Sequence, residues 1–61
     1  MRSVEECELL LEAAGGDLLL KYVNELFWLR LMHNDQVIND FQYQQILLKI
    51  ANRYANKVKS A

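Results

Sequence analysis

The sequence predicts an all-α fold, a small three-helix bundle, and three observations carry that prediction. The 61 residues contain no proline and only two glycines, which are adjacent. Apolar residues recur at helical spacing on both sides of the glycine pair. Residue types that commonly begin helices precede the apolar stretches. We therefore expect a single domain over residues 1–61, with helices at about residues 4–14, 18–33 and 40–58.

End signals mark the first helix at both ends. Ser3 and Glu6 have the spacing of a capping box, in which the two side chains satisfy polar groups at the helix start. Gly15 and Gly16 are expected to end the helix, because glycine adopts the left-handed conformation at little cost. Asp17 then follows as the predicted N-cap of the second helix.

The second helix is apolar on nearly all sides, which is unusual in so short a chain. Its polar stripe is narrow and consists of Lys21, Asn24 and Glu25. Trp28 and Met32 continue the line of that stripe, and two neighbouring helices can hardly cover them as well. We therefore expect a contact patch for another protein molecule, so that oligomerisation would complete the bundle. The expected patch consists of Trp28, Met32, Leu29 and Phe41.

The segment between the second and third helices is predicted to be a simple connector. Asn34 is expected to end the second helix, because asparagine tolerates the left-handed conformation better than most residues. Asn39 and Gln42 have capping-box spacing, and Ile38 with Tyr43 has the spacing of a hydrophobic staple. The third helix then carries a regular apolar stripe. The expected core of the monomer consists of Leu19, Val23, Leu26, Leu47, Ile50 and Tyr54.

The second half of the chain also carries a recognisable set of residues. These are Leu26, Leu29 and Met32, followed by the segment QVINDFQYQQILLKI. Over about residues 26–51 they resemble the SHOCT or SHOCT-like domain, a short helical hairpin. The pattern of that family has leucines three apart, then a glycine, an isoleucine, a capping residue and an aromatic residue. Ile38, Asn39 and Tyr43 fill the last three positions.

The chain departs from that pattern at three positions. Gln36, Gln42 and Ile46 stand where the family more often has a glycine, an acid and a lysine. The resemblance implies a domain that mediates oligomerisation or protein interaction. Its occurrence in so short a chain is typical of a small accessory protein, for example one from a mobile element.

A helix-turn-helix-like DNA-binding or regulatory protein is the alternative interpretation. The third helix would then present polar and basic side chains to bases and phosphates. Those side chains are Gln45, Lys49, Asn52, Arg53 and Lys57. The net charge of −1 and the long connector weigh against this function. The charge is unevenly distributed, with acids early and bases late, but helix dipoles and contact between the first and last helices explain that distribution.

No catalytic, cofactor or metal site is expected. His33 is the only histidine and Cys7 the only cysteine, and no glycine-rich loop accompanies them to build a nucleophilic site. His33, Asp35 and Asp40 match no known cation-binding spacing.

The sequence therefore favours a non-catalytic protein–protein interaction module. Its expected partner is a second copy or a larger protein, and neither a small-molecule substrate nor a membrane is expected. The longest apolar runs are too short to span a bilayer. The single cysteine cannot form an intrachain disulfide, which favours the reducing cytoplasm.

Overall fold

The computed structural model describes residues 1–60, and it folds them into three α-helices that pack against one another. Helix α1 comprises Val4–Ala14, α2 comprises Gly16–Asn34 and α3 comprises Asp40–Ser60. No strand occurs within this described part of the chain. The predicted all-α three-helix fold is confirmed, and each predicted helix boundary lies within two residues of the observed one.

The predicted capping box before α3 forms in full, and the one before α1 forms in part, because the Glu6 carboxylate binds the Ser3 hydroxyl and not the Ser3 amide. At the start of α1, the Glu6 amide donates to Ser3 Oγ at 3.2 Å, and the Ser3 hydroxyl donates to the Glu6 carboxylate at 3.3 Å. Before α3, the Asn39 amide donates to Gln42 Oε1 at 3.0 Å, and the Gln42 amide donates to Asn39 Oδ1 at 2.8 Å. These bonds use amides that have no acceptor within the helix itself, so they fix where the two helices begin.

The predicted N-cap of α2 is wrong by two residues, because Gly15 and not Asp17 precedes the helix. Asp17 lies inside α2, which begins at Gly16, and the preceding Gly15 has a φ of 64°. The amide of Gly15 also donates to the Leu11 carbonyl at 2.8 Å and so ends α1. Gly16 also has a positive φ, 68°, so the turn between the two helices uses both glycines. Asp17 instead places its carboxylate in the first turn of α2, where the helix dipole favours a negative charge.

The end of α2 also differs from the prediction. Asn34 is helical, and the left-handed residue is Gln36, with a φ of 62°. The Gln36 amide donates to the His33 carbonyl at 3.1 Å, and the Val37 amide donates to the Met32 carbonyl at 3.0 Å. This is the hydrogen-bond pattern of a Schellman motif, whose left-handed position usually holds glycine.

Replacing Gln36 by glycine should therefore stabilise the protein. A left-handed conformation costs an ordinary side chain roughly 1–2 kcal/mol, whereas glycine adopts it freely but loses more chain entropy on folding. We expect Gln36→Gly to raise the free energy of unfolding by about 1 kcal/mol, measured by urea denaturation. As a control, Asn34→Gly within α2 should lower it. A stability loss in Gln36→Gly would contradict the Schellman geometry.

The core lies between α1 and α3, with one contribution from α2. Its buried residues are Cys7, Leu11, Tyr22, Ala51, Tyr54 and Ala55. Ala51 and Ala55 are one turn apart on α3, and their small side chains leave room for α1 to approach closely. The rings of Tyr22 and Tyr54 meet edge to face with centroids 5.7 Å apart, which joins α2 to α3.

The predicted core is correct in part. Tyr54 is buried, and Leu19, Leu26 and Ile50 are half-buried against the core. Leu47 is also half-buried. Val23 was wrongly assigned to the core, because its side chain is 55% exposed. The sequence pattern placed it on the same broad apolar side as Leu19, and only the packing separates the two.

Asn52 ties the N-terminal residues to α3. Its Oδ1 accepts from the Arg2 amide at 2.9 Å, and its Nδ2 donates to the Arg2 carbonyl at 2.8 Å. The same Nδ2 group donates to the Leu48 carbonyl at 3.0 Å. The Asn52 side-chain amide thus binds both the N–H and the C=O of Arg2, as a backbone amide of a paired β-strand would. It thereby fixes the residues before α1 against α3.

Removing this side chain should destabilise the fold. Asn52→Ala leaves the partly buried Arg2 amide and carbonyl without these partners, so we expect the free energy of unfolding to fall by about 1–2 kcal/mol. The exposed Gln45 lies on the same helix, and Gln45→Ala should change stability little. Equal effects of the two substitutions in thermal denaturation would contradict this role of Asn52.

Candidate protein interface

Helix α2 is apolar on two opposite sides, and only one of them lies in the core. Tyr22 and Leu29 are buried towards the other helices, with exposures of 2% and 1%. Leu20 is nine residues before Leu29, which places it about half a turn away on the opposite side. That side faces solvent, and Leu20 is 69% exposed.

We call the solvent-facing apolar side the outward face of α2. It consists of Leu20, Val23, Phe27, Trp28, Leu31 and Met32. The rings of Phe27 and Trp28 meet edge to face with centroids 6.0 Å apart. A shallow groove beside them is lined by Val23, Leu26, Phe27 and Arg30, so a cation borders the apolar surface. The face is therefore an apolar strip along one helix, with the exposed Asn24 as its one polar interruption.

The exposed area of this face is large for so small a protein. Phe27 and Trp28 are 57% and 61% exposed, and side chains of this size carry roughly 150–250 Å² each. The pair alone therefore leaves on the order of 250 Å² exposed. With its four smaller neighbours, the face reaches several hundred Å², about the size of the largest apolar patch on a typical soluble monomer, and such patches are often functional.

The predicted contact patch needs one correction. Trp28, Met32 and Phe41 are exposed, as an interface requires, and Phe41 lies at the start of α3. Leu29 is buried, because it points to the side of α2 that packs on the core, and it is not available to a partner. The predicted patch also lacked Leu20, Phe27 and Leu31, which are exposed on the outward face. Their spacing was visible, but an all-apolar helix gives no local sign of which side is covered.

The connector between α2 and α3 is a structural corner. The His33 ring stacks on Tyr43 with centroids 4.6 Å apart, and its Nε2 pairs with Asp40 Oδ1 at 2.5 Å. These contacts fasten the end of α2 to the first turns of α3. Asp35 does not join them. Within residues 1–60, no group of three or more His, Cys, Asp or Glu side chains has the geometry to hold a metal ion.

The buried titratable groups belong to the core. Burial raises the pKa of the Cys7 thiol, which is fully enclosed, so it stays protonated at neutral pH. Burial, with the nearby Glu8 carboxylate, also raises the pKa of Tyr22. The Tyr22 hydroxyl donates to Glu8 at 3.2 Å. A protonated and enclosed thiol is a poor nucleophile. The positions of Cys7 and Tyr22 are therefore explained by packing in the core.

The polar and basic residues of α3 are largely engaged within the chain. Asn52 binds the backbone of Arg2. The Arg53 guanidinium pairs with the Glu25 carboxylate at 2.7 Å, and the Lys57 ammonium lies 5.0 Å from the centre of the Tyr54 ring. Gln45 and Lys49 are exposed. Of the five residues, Asn52 is half-buried against the N-terminal residues, and the other four are exposed at four-residue intervals along α3.

Comparisons with family models, curated proteins and solved structures gave no match for this chain. Within residues 1–60, no helix combines the length and the hydropathy that a membrane span requires.

The raised pKa values predict a loss of stability at alkaline pH. The folded chain keeps protons on Cys7 and Tyr22 at pH values where the unfolded chain releases them, with ordinary pKa values of 9.0 and 10.0. The free energy of unfolding should therefore fall as pH rises above these values. Tyr22→Phe should show a shallower fall above pH 10.0 in urea denaturation at a series of pH values. An unchanged slope would contradict the burial of the hydroxyl.

Proposed function

We propose that this chain is a non-catalytic protein–protein interaction module, and that the outward face of α2 makes the contact. The observation that carries the proposal is the exposure of Phe27 and Trp28 beside aliphatic neighbours on one helix. Aromatic residues and methionine are enriched at protein interfaces, where such side chains supply much of the binding energy.

Covering the face would supply a substantial part of the free energy that association requires. At about 25 cal/mol per Å², the roughly 250 Å² exposed by the two aromatic rings corresponds to about 6 kcal/mol before the costs of association. A partner would also stabilise the monomer fold, because binding to the folded state alone shifts the unfolding equilibrium. This matters in a chain whose fully buried core consists largely of small side chains such as Cys7, Ala51 and Ala55.

The resemblance to the SHOCT domain supports the same function. The family pattern has glycine where this chain has Gln36, and Gln36 adopts the left-handed conformation that glycine favours. The turn geometry therefore agrees with the helical hairpin of that family, for which an interaction or oligomerisation role is expected. The enclosed, unpaired Cys7 fits a reducing compartment, and we place the module in the cytoplasm.

Site-specific photo-crosslinking in the source cell tests the proposal. A benzophenone side chain in place of Phe27 keeps an aromatic group on the outward face and should give a covalent adduct with a protein. The matched control replaces Leu9, which is 66% exposed on α1, and should give much less adduct. The mass of the adduct separates a second copy from a different protein.

The proposal fails if position 27 gives no adduct above the level at position 9. Circular dichroism of both variants should match the unmodified protein, which ensures that the comparison concerns surface contacts and not unfolding. The same probe at Phe41 determines whether the contact extends to the start of α3.

A further inference from the structure

We infer that the partner of the outward face is a second copy of this chain, with the two α2 helices packed side by side in parallel. This inference rests on the proposed function and names its partner. It follows from the spacing of residues along the face, from the position of one asparagine and from a pair of charges at its edges.

The outward face has the spacing of a coiled-coil seam. Leu20, Asn24, Phe27 and Leu31 succeed one another at intervals of four, three and four residues. Such alternation places them in one line along a helix, at the positions that meet a partner helix in a two-stranded coiled coil. The line runs opposite the buried side of α2, so neither α1 nor α3 stands in the way.

Asn24 favours the parallel arrangement. In a parallel pair, Asn24 meets Asn24 of the second copy across the twofold axis, and two side-chain amides can hydrogen-bond to each other. A single asparagine in such a seam is a known determinant of register and of two-stranded pairing. In the antiparallel arrangement that aligns Leu20 with Leu31 of the second copy, Asn24 would lie against Phe27 and lose that partner.

The residues that flank the seam are complementary in the parallel register. In a parallel coiled coil, the residue that directly precedes a seam residue lies beside a flanking residue of the other helix. The number of that flanking residue is higher by five. Val23 then meets Trp28 of the second copy, and Arg30 meets Asp35 of the second copy. Neither Arg30 nor Asp35 forms an ion pair within residues 1–60. The Asp35 amide still donates to the Leu31 carbonyl at 3.0 Å, which keeps Asp35 on the helical path.

The contact is short. Asp17 would occupy the seam position before Leu20, and two Asp17 carboxylates would repel each other, so pairing begins at Leu20. From there to Asp35 the helix is about 22 Å long. A contact of this length buries less than the roughly 800 Å² per partner of a standard interface. We therefore expect a reversible monomer–dimer equilibrium whose position depends on protein concentration.

Charge exchange across the pair tests the arrangement. Arg30→Glu and Asp35→Lys each place like charges at both edges of the homodimer, so each should raise the dissociation constant about tenfold in sedimentation equilibrium. An equimolar mixture of the two variants restores opposite charges at both edges and should associate as tightly as the unmodified protein. These differences should shrink at high salt.

A cysteine crosslink tests the direction of the helices. Leu20→Cys should oxidise to a covalent dimer, because the parallel register brings the two positions together. The antiparallel register would hold them about 16 Å apart, and a mixture of Leu20→Cys with Leu31→Cys would then crosslink preferentially. The exposed Leu9→Cys on α1 is the control and should crosslink little.

Preferential crosslinking between Leu20→Cys and Leu31→Cys would overturn the parallel arrangement, and two further results would overturn self-pairing itself. One is an unmodified protein that stays monomeric at millimolar concentration, and the other is a charge-exchanged mixture that associates no better than its components. If photo-crosslinks from position 27 then reach a different protein, the interaction function stands and only self-pairing fails. If those crosslinks are also absent, both fail.

Discussion

Cys7 and Leu11 of α1 pack against Ala51 and Ala55 of α3. This close approach of α1 and α3 determines which side of α2 is buried and which side stays exposed. Small side chains on α3 bring the helices together and leave few large residues inside. Helix α2 joins this pair through one side only, mainly by Tyr22 and by half-buried leucines. Its opposite side is left uncovered because 60 described residues supply no fourth element to cover it.

The exposed side is held in place by polar contacts at the ends of the helices. The Schellman motif at Gln36, the capping box at Asn39 and the pairing of His33 with Asp40 fix the corner between α2 and α3. Arg53 and Glu25 add a link further along the same two helices. A surface carried by a helix that is fastened in this way needs little ordering on binding, which reduces the entropic cost of association.

The edges of the outward face differ from its centre, and the proposed pairing of α2 helices depends on that difference. Its centre is apolar and supplies attraction without direction, as hydrophobic surfaces do. Arg30 and Asp35 carry opposite charges at its margins, and Asn24 interrupts its seam. Charged and polar groups of this kind mainly set specificity and orientation. In the proposed dimer, these groups would favour a correctly aligned helix over other apolar surfaces.

The sequence alone determined the features that depend on neighbouring residues. The caps at Ser3 and Asn39, the fold class, the approximate helix boundaries and the exposed Trp28 and Met32 could be predicted, because caps and periodicity act over a few positions. Tertiary structure alone decided that Leu29 faces inward while Val23 faces solvent, since α2 is apolar on both sides. It also decided that Asn52 binds Arg2, a partner 50 residues away. Such choices depend on which helices pack together, and no local pattern encodes that.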